Sequence, residues 1–194
     1  MMSFIANAES KSKGYTLRGR LAFIEQRFGK ERIPEVLARL ENEEERKILS
    51  APFSSSTWYP LWYQVHLSET IDKALGKGDL KLCWEIGRFT AEFELSTFHQ
   101  IFLKLGKPQH LLKMGALMWG RYYNTGRLVV ESKGDNAATG LVQEFDPIHR
   151  AFCVDFSGWM ERTMELTGAT KVAVRHTACR LEHAPACRFE GSWE

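Results

Sequence analysis

The sequence lacks most of the features that assign a protein directly to a functional class. It has no run of about 18 apolar residues, so it predicts no membrane-spanning helix. Its 26 Lys and Arg residues are nearly balanced by 24 Asp and Glu, without a long basic block, which argues against nucleic acid as a partner. Nucleophile-elbow, zinc-protease, phosphate-loop and dinucleotide motifs are also missing. These absences favour a protein that is not an enzyme.

Cysteine is scarce, with four residues in the chain of 194. Residues 1–14 are mostly small and polar without a hydrophobic stretch, so we expect a flexible leader there and no secretory signal. A few cysteines without such a signal fit a reducing, cytoplasmic location better than a disulfide framework. With 44% hydrophobic residues, the segment 15–194 is long enough to bury one core. We therefore predict a cytoplasmic protein with a single domain over 15–194.

Apolar residues at helical spacing dominate the first two thirds of the chain. In the first amphipathic stretch, Leu17, Leu21 and Ile24 recur on one face. An aromatic cluster that begins at Trp58 is interpreted as the opening of another helix. The same periodicity predicts helices over 15–28, 33–40, 58–75, 82–105 and 110–123.

The last third of the chain changes character. Strands are predicted over 126–132 and 139–145, with a turn at 134–136 between them, and a helix follows from Asp146 to about Leu166. A terminal hairpin is indicated by period-2 alternation, since Cys187, Phe189 and Trp193 would share one face. Helices first, then β-β-α-β-β, predict an α+β fold with a helical layer packed on a twisted antiparallel sheet.

One cysteine–histidine pattern stands out: Cys153-x22-His176-x2-Cys179-x7-Cys187. A structural zinc ion prefers four such ligands in a closed tetrahedron, and a hairpin packed under a helix could supply them. Glu182 and His183, near the hairpin tip, are alternative fourth ligands. The competing interpretation is ordinary core packing, since free cysteine is among the most buried residue types. Core packing is also our interpretation of Cys83.

Residues 126–193 resemble the 4-vinyl-reductase-type domain, a small-molecule-binding fold also used by the sensor domains of phenol-responsive transcription activators. The resemblance rests on the spacing of Cys153, Cys179 and Cys187. In those sensors a zinc ion is held by a helix cysteine, an acidic residue and two cysteines around the last hairpin. His176 stands where the acidic ligand would be, which is a departure from the pattern. The resemblance implies a structural zinc site on Cys153, His176, Cys179 and Cys187.

The upstream part is similar to an uncharacterised protein family expanded in myxobacteria. The residues that carry this likeness are the segment 15–28, the motif Trp58-Tyr59-Pro60, Gly87 and the segment 122–126. Together the two resemblances imply a helical layer on an antiparallel sheet, a homodimer and an apolar pocket.

An aromatic-rich stretch between Trp84 and Tyr123 offers residues for that pocket. We predict that the ligand pocket is lined by Phe89, Phe93, His99, Phe102, Trp119 and Tyr122. His110 is an alternative to His99 as the orienting polar group. Aromatic stripes at helical spacing are also typical of plain core, so both interpretations stay open at this point.

Three functions from different classes follow. The first is a sensor or regulatory domain that binds an apolar, aromatic or lipid-like small molecule, contains a structural zinc ion, and acts as a homodimer with a signalling protein partner. The second is a ligand-free interaction or scaffold module of the same fold, which would have a filled core and an exposed apolar patch. The third is a zinc enzyme. It is disfavoured because four protein ligands leave no open coordination position.

Overall fold

The structure is a computed structural model that describes residues 10–95, 107–146 and 148–194. Its elements in chain order are β1 (Lys11–Lys13), α1 (Gly14–Phe28), α2 (Ile33–Ala38), α3 (Glu43–Leu49), β2 (Trp58–Pro60), α4 (Leu61–Leu75), α5 (Lys81–Leu95), α6 (Pro108–Tyr122), β3 (Arg127–Ser132), β4 (Ala137–Gln143), α7 (Arg150–Glu165), β5 (Ala173–Ala178) and β6 (Ala186–Ser192). The prediction of a single-domain α+β fold, with helices first and then β-β-α-β-β, is confirmed.

The main sheet has four strands in the order β3-β4-β6-β5, and every neighbouring pair is antiparallel. Strand β6 lies inside the sheet, and Cys187, Phe189 and Gly191 alternate as buried residues along it. This alternation, visible in the sequence, results from helices that cover one face of the sheet. Helix α7 packs against this buried face: Phe156 of α7 contacts Phe189 of β6 ring to ring at a centroid distance of 4.9 Å.

The interpretation of Trp58 as part of a helix is wrong. Trp58–Pro60 is strand β2 and pairs with β1, where Ser12 lies opposite Tyr59. The aromatic and proline residues favour extended backbone, and α4 begins directly afterwards at Leu61. Strand β1 comes from the segment predicted as a leader, so Lys11–Lys13 are held in a sheet, while residues 1–9 lie outside the described ones.

Helices α5 and α7 approach each other at two glycines. A Cβ atom on Gly87 would overlap the carbonyl oxygen of Asp155, and one on Gly158 would overlap the carbonyl oxygen of Trp84. Glu161 of α7 also accepts a hydrogen bond from the Trp84 indole at 2.9 Å. The pair α5–α7 therefore forms a closely packed support for the rest of the helical layer.

Apolar side chains form two clusters among the described residues. One contains α6, α7 and the four-stranded sheet, and the other contains α1, α2 and much of α5. Helix α4 contributes to both clusters, through Leu61 and Val65 on one side and Tyr63, Leu67 and Ile71 on the other. No described helix is both long and apolar enough to cross a bilayer.

Candidate functional sites: a thiol–imidazole cluster and an apolar cavity

The structure brings together the four side chains predicted as a ligand set. Cys153 lies on the second turn of α7, His176 on β5, Cys179 just after β5, and Cys187 on β6. One ligand atom from each residue lies within 4.8 Å of the others. The Cys187 Sγ atom is central, at 3.9 Å from the Sγ atom of Cys153 and 3.8 Å from that of Cys179.

A β-bulge helps to assemble this cluster. His176 lies opposite Phe189 and Ala178 lies opposite Arg188, so Thr177 is an extra residue without a partner in β6. A bulge bends its strand and changes where the following side chains point. In β5 the bulge lies between His176 and Cys179, and both side chains contact Cys187. The spacing of the four residues in the sequence does not reveal the bulge.

The cluster favours negative charge on Cys187. Hydrogen bonds from Cys153 and His176 and from the Arg180 backbone N–H lower the pKa of the Cys187 thiol to about 4, against the opposing effect of burial. The Arg180 nitrogen lies 3.4 Å from this sulfur. The hydrogen bond to Cys187 and burial raise the pKa of Cys153. The arrangement therefore surrounds the Cys187 sulfur with hydrogen-bond donors that favour its thiolate form.

The other candidates for this cluster lie elsewhere. Glu182, the last residue of the short 3-10 helix Arg180–Glu182, and His183, which follows it, are exposed, and neither belongs to the four-residue group. Cys83 is fully buried on α5, and its Sγ atom contacts the Ser68 carbonyl oxygen at 3.6 Å. Its interpretation as a core residue is confirmed.

A second feature is a cavity of about 280 Å³ between α1, α4, α6 and α7. Trp119 and Tyr122, two of the six predicted pocket residues, line it. Phe89 and Phe93 stack on each other at 5.7 Å on α5 and are not among the described lining residues. His99 and Phe102 lie outside the described residues. The predicted pocket is therefore only partly the cavity that the described residues form.

A buried ion pair joins two walls of the cavity. Arg20 of α1 donates a hydrogen bond to Asp155 of α7, and the two side chains are 3% and 10% exposed. Arg20 also donates to Ser68 Oγ at 2.6 Å and to the Thr16 carbonyl oxygen at 2.8 Å. The motifs and spacings of the sequence do not predict this pair. The sequence nevertheless contains a signal for a buried charge pair. Arg20 lies three residues after Leu17, and Asp155 lies three residues after Phe152, so each falls on the apolar face of its helix. A charge on such a face needs a partner.

No family model matches the sequence, and no curated protein matches it either. Solved structures do resemble it. A variant of the H-NOX protein from S. oneidensis in the Fe(II) ligation state has a TM-score of 0.72 at 13% identity, over 94% of this chain and 96% of that one. A variant of the Fe(II) unliganded H-NOX protein from K. algicida has a TM-score of 0.65 at 18% identity, again over 94% and 96%.

A third structure, from work on the function of heme distortion in the H-NOX family, has a TM-score of 0.69 at 12% identity and covers 94% of this chain and 95% of that one. These neighbours overturn the assignment to the 4-vinyl-reductase-type domain, which is wrong. Zinc as the cofactor is likewise corrected, since the similar structures are described by heme and Fe(II). At these identities the likeness concerns the fold alone: this chain has the fold of H-NOX domains over nearly its whole length.

Proposed function

We propose that this protein is a non-enzymatic sensor domain, and that the cavity between α1, α4, α6 and α7 binds a small apolar molecule. The cavity itself supports this proposal, because a ligand-free scaffold would be expected to fill its core. Its volume, about 280 Å³, is close to the lower end of the roughly 300–1,000 Å³ of small-molecule sites. Its lining is mainly apolar, with a few polar groups, as such sites require.

Heme is the group that the similar structures suggest, and the described residues do not fit it. Heme iron is bound by a proximal His, a Cys thiolate, a Met with a His, or a Tyr. The described lining residues include neither His nor Cys. Of the two tyrosines among them, Tyr123 already accepts a hydrogen bond from Gln64, and Tyr122 packs edge-on against Tyr15. The Trp159 ring also occupies the part of the cavity next to Gly115, where heme would need room. Its Cη2 atom would lie 2.8 Å from a Cβ atom on that glycine. Heme is therefore not part of the proposed function.

Helix α6 links the cavity to the protein surface, because neighbouring residues of the helix face each of them. Met118 lines the cavity, whereas its neighbour Leu117 is 85% exposed. A ligand that shifts α6 would change the position of an exposed apolar side chain, and exposed apolar groups are what protein partners recognise. We include a homodimer and a separate signalling partner in this proposal. A ligand would act on them by moving α6.

Filling the cavity tests the proposal. We expect Met118→Trp to weaken binding of two small bicyclic probes, indole and benzofuran, by at least about tenfold, because a larger side chain occupies their space. Isothermal titration calorimetry measures this. Leu117→Trp, on the exposed side of the same helix, is the matched control and should bind as the wild type does. If neither probe binds to the wild type, the interaction-module alternative replaces the sensor.

We also propose that Cys153, His176, Cys179 and Cys187 bind a metal ion. The proximity of their ligand atoms supports this, and thiolate and imidazole are the ligands preferred by soft and borderline transition metals. Four protein ligands from α7, β5 and β6 would join the terminal hairpin to the helix above it. The role of such an ion would be structural, since all four positions come from the protein.

Metal analysis of the purified protein tests the ligand set. We expect a single ion per chain in the wild type, lost in Cys179→Ser and in Cys187→Ser together with a fall in Tm of roughly 5 °C or more, because metal binding adds to folding free energy. Cys83→Ser changes a buried thiol outside the cluster and should retain the ion. A well-folded, metal-free wild type would reduce the cluster to core packing.

A further inference from the structure

We propose that the ligand of the cavity is a neutral, mainly apolar molecule that carries one hydrogen-bond donor, and that Gln64 Oε1 is the acceptor that selects it. This inference rests on the proposed function, because it names the chemistry of the molecule that the same cavity binds. It comes from the unpaired polar atoms of the cavity wall and from the charges already present there.

One unpaired polar atom belongs to the Gln64 side chain on α4. Gln64 lines the cavity and is 2% exposed, so its amide group is removed from bulk water. Its Nε2 atom donates to the Tyr123 hydroxyl oxygen at 3.1 Å, which orients the amide. The Oε1 atom then has no hydrogen-bond partner among the described residues. A buried carbonyl oxygen left unpaired is destabilising, and a donor on a ligand would remove that penalty.

A second unpaired group lies on another helix of the cavity wall. Thr163 of α7 also lines the cavity and is 1% exposed, and its Oγ1 atom has no hydrogen-bond partner among the described residues. Two unpaired groups on different helices of one cavity indicate a ligand with polar atoms as well as apolar surface. A hydroxyl or an N–H group can satisfy Gln64, and Thr163 can either donate to the ligand or accept from it.

The charges of the wall indicate that the ligand is neutral. Arg20 and Asp155 are already paired with each other, and Arg20 also donates to Ser68 and to the Thr16 carbonyl oxygen. The third charged residue of the described lining, Arg121, is exposed at the surface. An ionised ligand inside the cavity would therefore lack a buried counter-charge, and an unpaired buried charge is strongly unfavourable.

A pair of probes with the same shape tests the inference. Indole has an N–H donor, whereas benzofuran has an oxygen in the same ring position and no donor. A cavity of about 150 Å³ holds benzene, so a two-ring probe suits the larger space in this protein. We expect wild-type protein to bind indole on the order of tenfold more tightly than benzofuran, measured by isothermal titration calorimetry. Gln64→Leu should reduce this ratio to about one, with benzofuran binding retained.

Gln109→Leu is the matched control. Gln109 lies on α6, is buried, and also has an unpaired Oε1 atom, but it is not among the described lining residues. This variant should keep the tenfold preference. Equal binding of both probes, or a preference for benzofuran, overturns the inference and leaves the proposed function standing. Tighter binding of 2-indolecarboxylate than of indole would overturn the neutral character. If neither probe binds, the proposed function itself fails.

Discussion

Asp155→Ala is expected to lower the free energy of unfolding by about 3–5 kcal/mol, since it leaves the Arg20 guanidinium buried without an anion. For a domain whose total stability is about 5–15 kcal/mol, this is a large share. The measurement is urea denaturation followed by tryptophan fluorescence. The loss should be specific to the missing partner, so the double variant Arg20→Met/Asp155→Leu should recover most of it, because two apolar side chains need no counter-charge.

An exposed pair supplies the comparison. Arg127 and Glu144 interact at 3.0 Å with side chains 59% and 70% exposed, so Arg127→Met should change stability by at most about 0.5 kcal/mol. A similarly small effect of Asp155→Ala would contradict our description of Arg20 and Asp155 as a buried, mutually dependent pair. The inference about a neutral ligand would then lose its electrostatic support.

Gly158→Ala is the second substitution with a large expected effect. Its Cβ atom would overlap the Trp84 carbonyl oxygen, and a backbone atom in a helix cannot move aside without separating α5 from α7. Overpacking in a core typically lowers stability by about 1–3 kcal/mol, and this contact with backbone places the expected loss at about 3 kcal/mol. Thermal or urea unfolding of the purified variant measures it.

Gly120→Ala is the control for this prediction. Gly120 is exposed on α6, and a Cβ atom there meets nothing within 4 Å. Alanine favours helix over glycine by up to about 1 kcal/mol, so this variant should be as stable as the wild type or more so. If Gly158→Ala behaves in the same way, the two helices are further apart than the structure places them.

The sequence predicted the strands and the thiol cluster better than the cavity. Strand β6 has a period of two because one face is buried, and four ligand-type residues around one hairpin are few enough to be noticed. Periodicity reports which residues are buried, but it does not report what they surround. Periodicity therefore places Trp119 and Tyr122 in the pocket. It gives no such signal for Gln64, which lines the same cavity from a helix far away in the sequence.

The family resemblance failed for a related reason. It rested on three cysteines and a few short motifs, and these residues specify how a helix packs on a hairpin rather than the whole arrangement of helices. The neighbours with the H-NOX fold match over 94% of the chain at 11–18% identity, a level at which sequence motifs no longer carry the fold. Comparison of the complete backbone was needed to make that assignment.

Helix α4, which contributes to both apolar clusters, has a consequence for how the protein tolerates mutation. Most of its circumference is committed, because two faces are core and the strip between them contains Gln64 and Ser68, which contact Tyr123 and Arg20. The partly or fully exposed residues of α4 are Trp62, His66, Glu69, Thr70, Lys73, Ala74 and Leu75. Sequence drift in α4 is thus confined to less than half of its 15 residues. Among descendants of this chain, substitutions in this helix would accumulate at those partly or fully exposed positions.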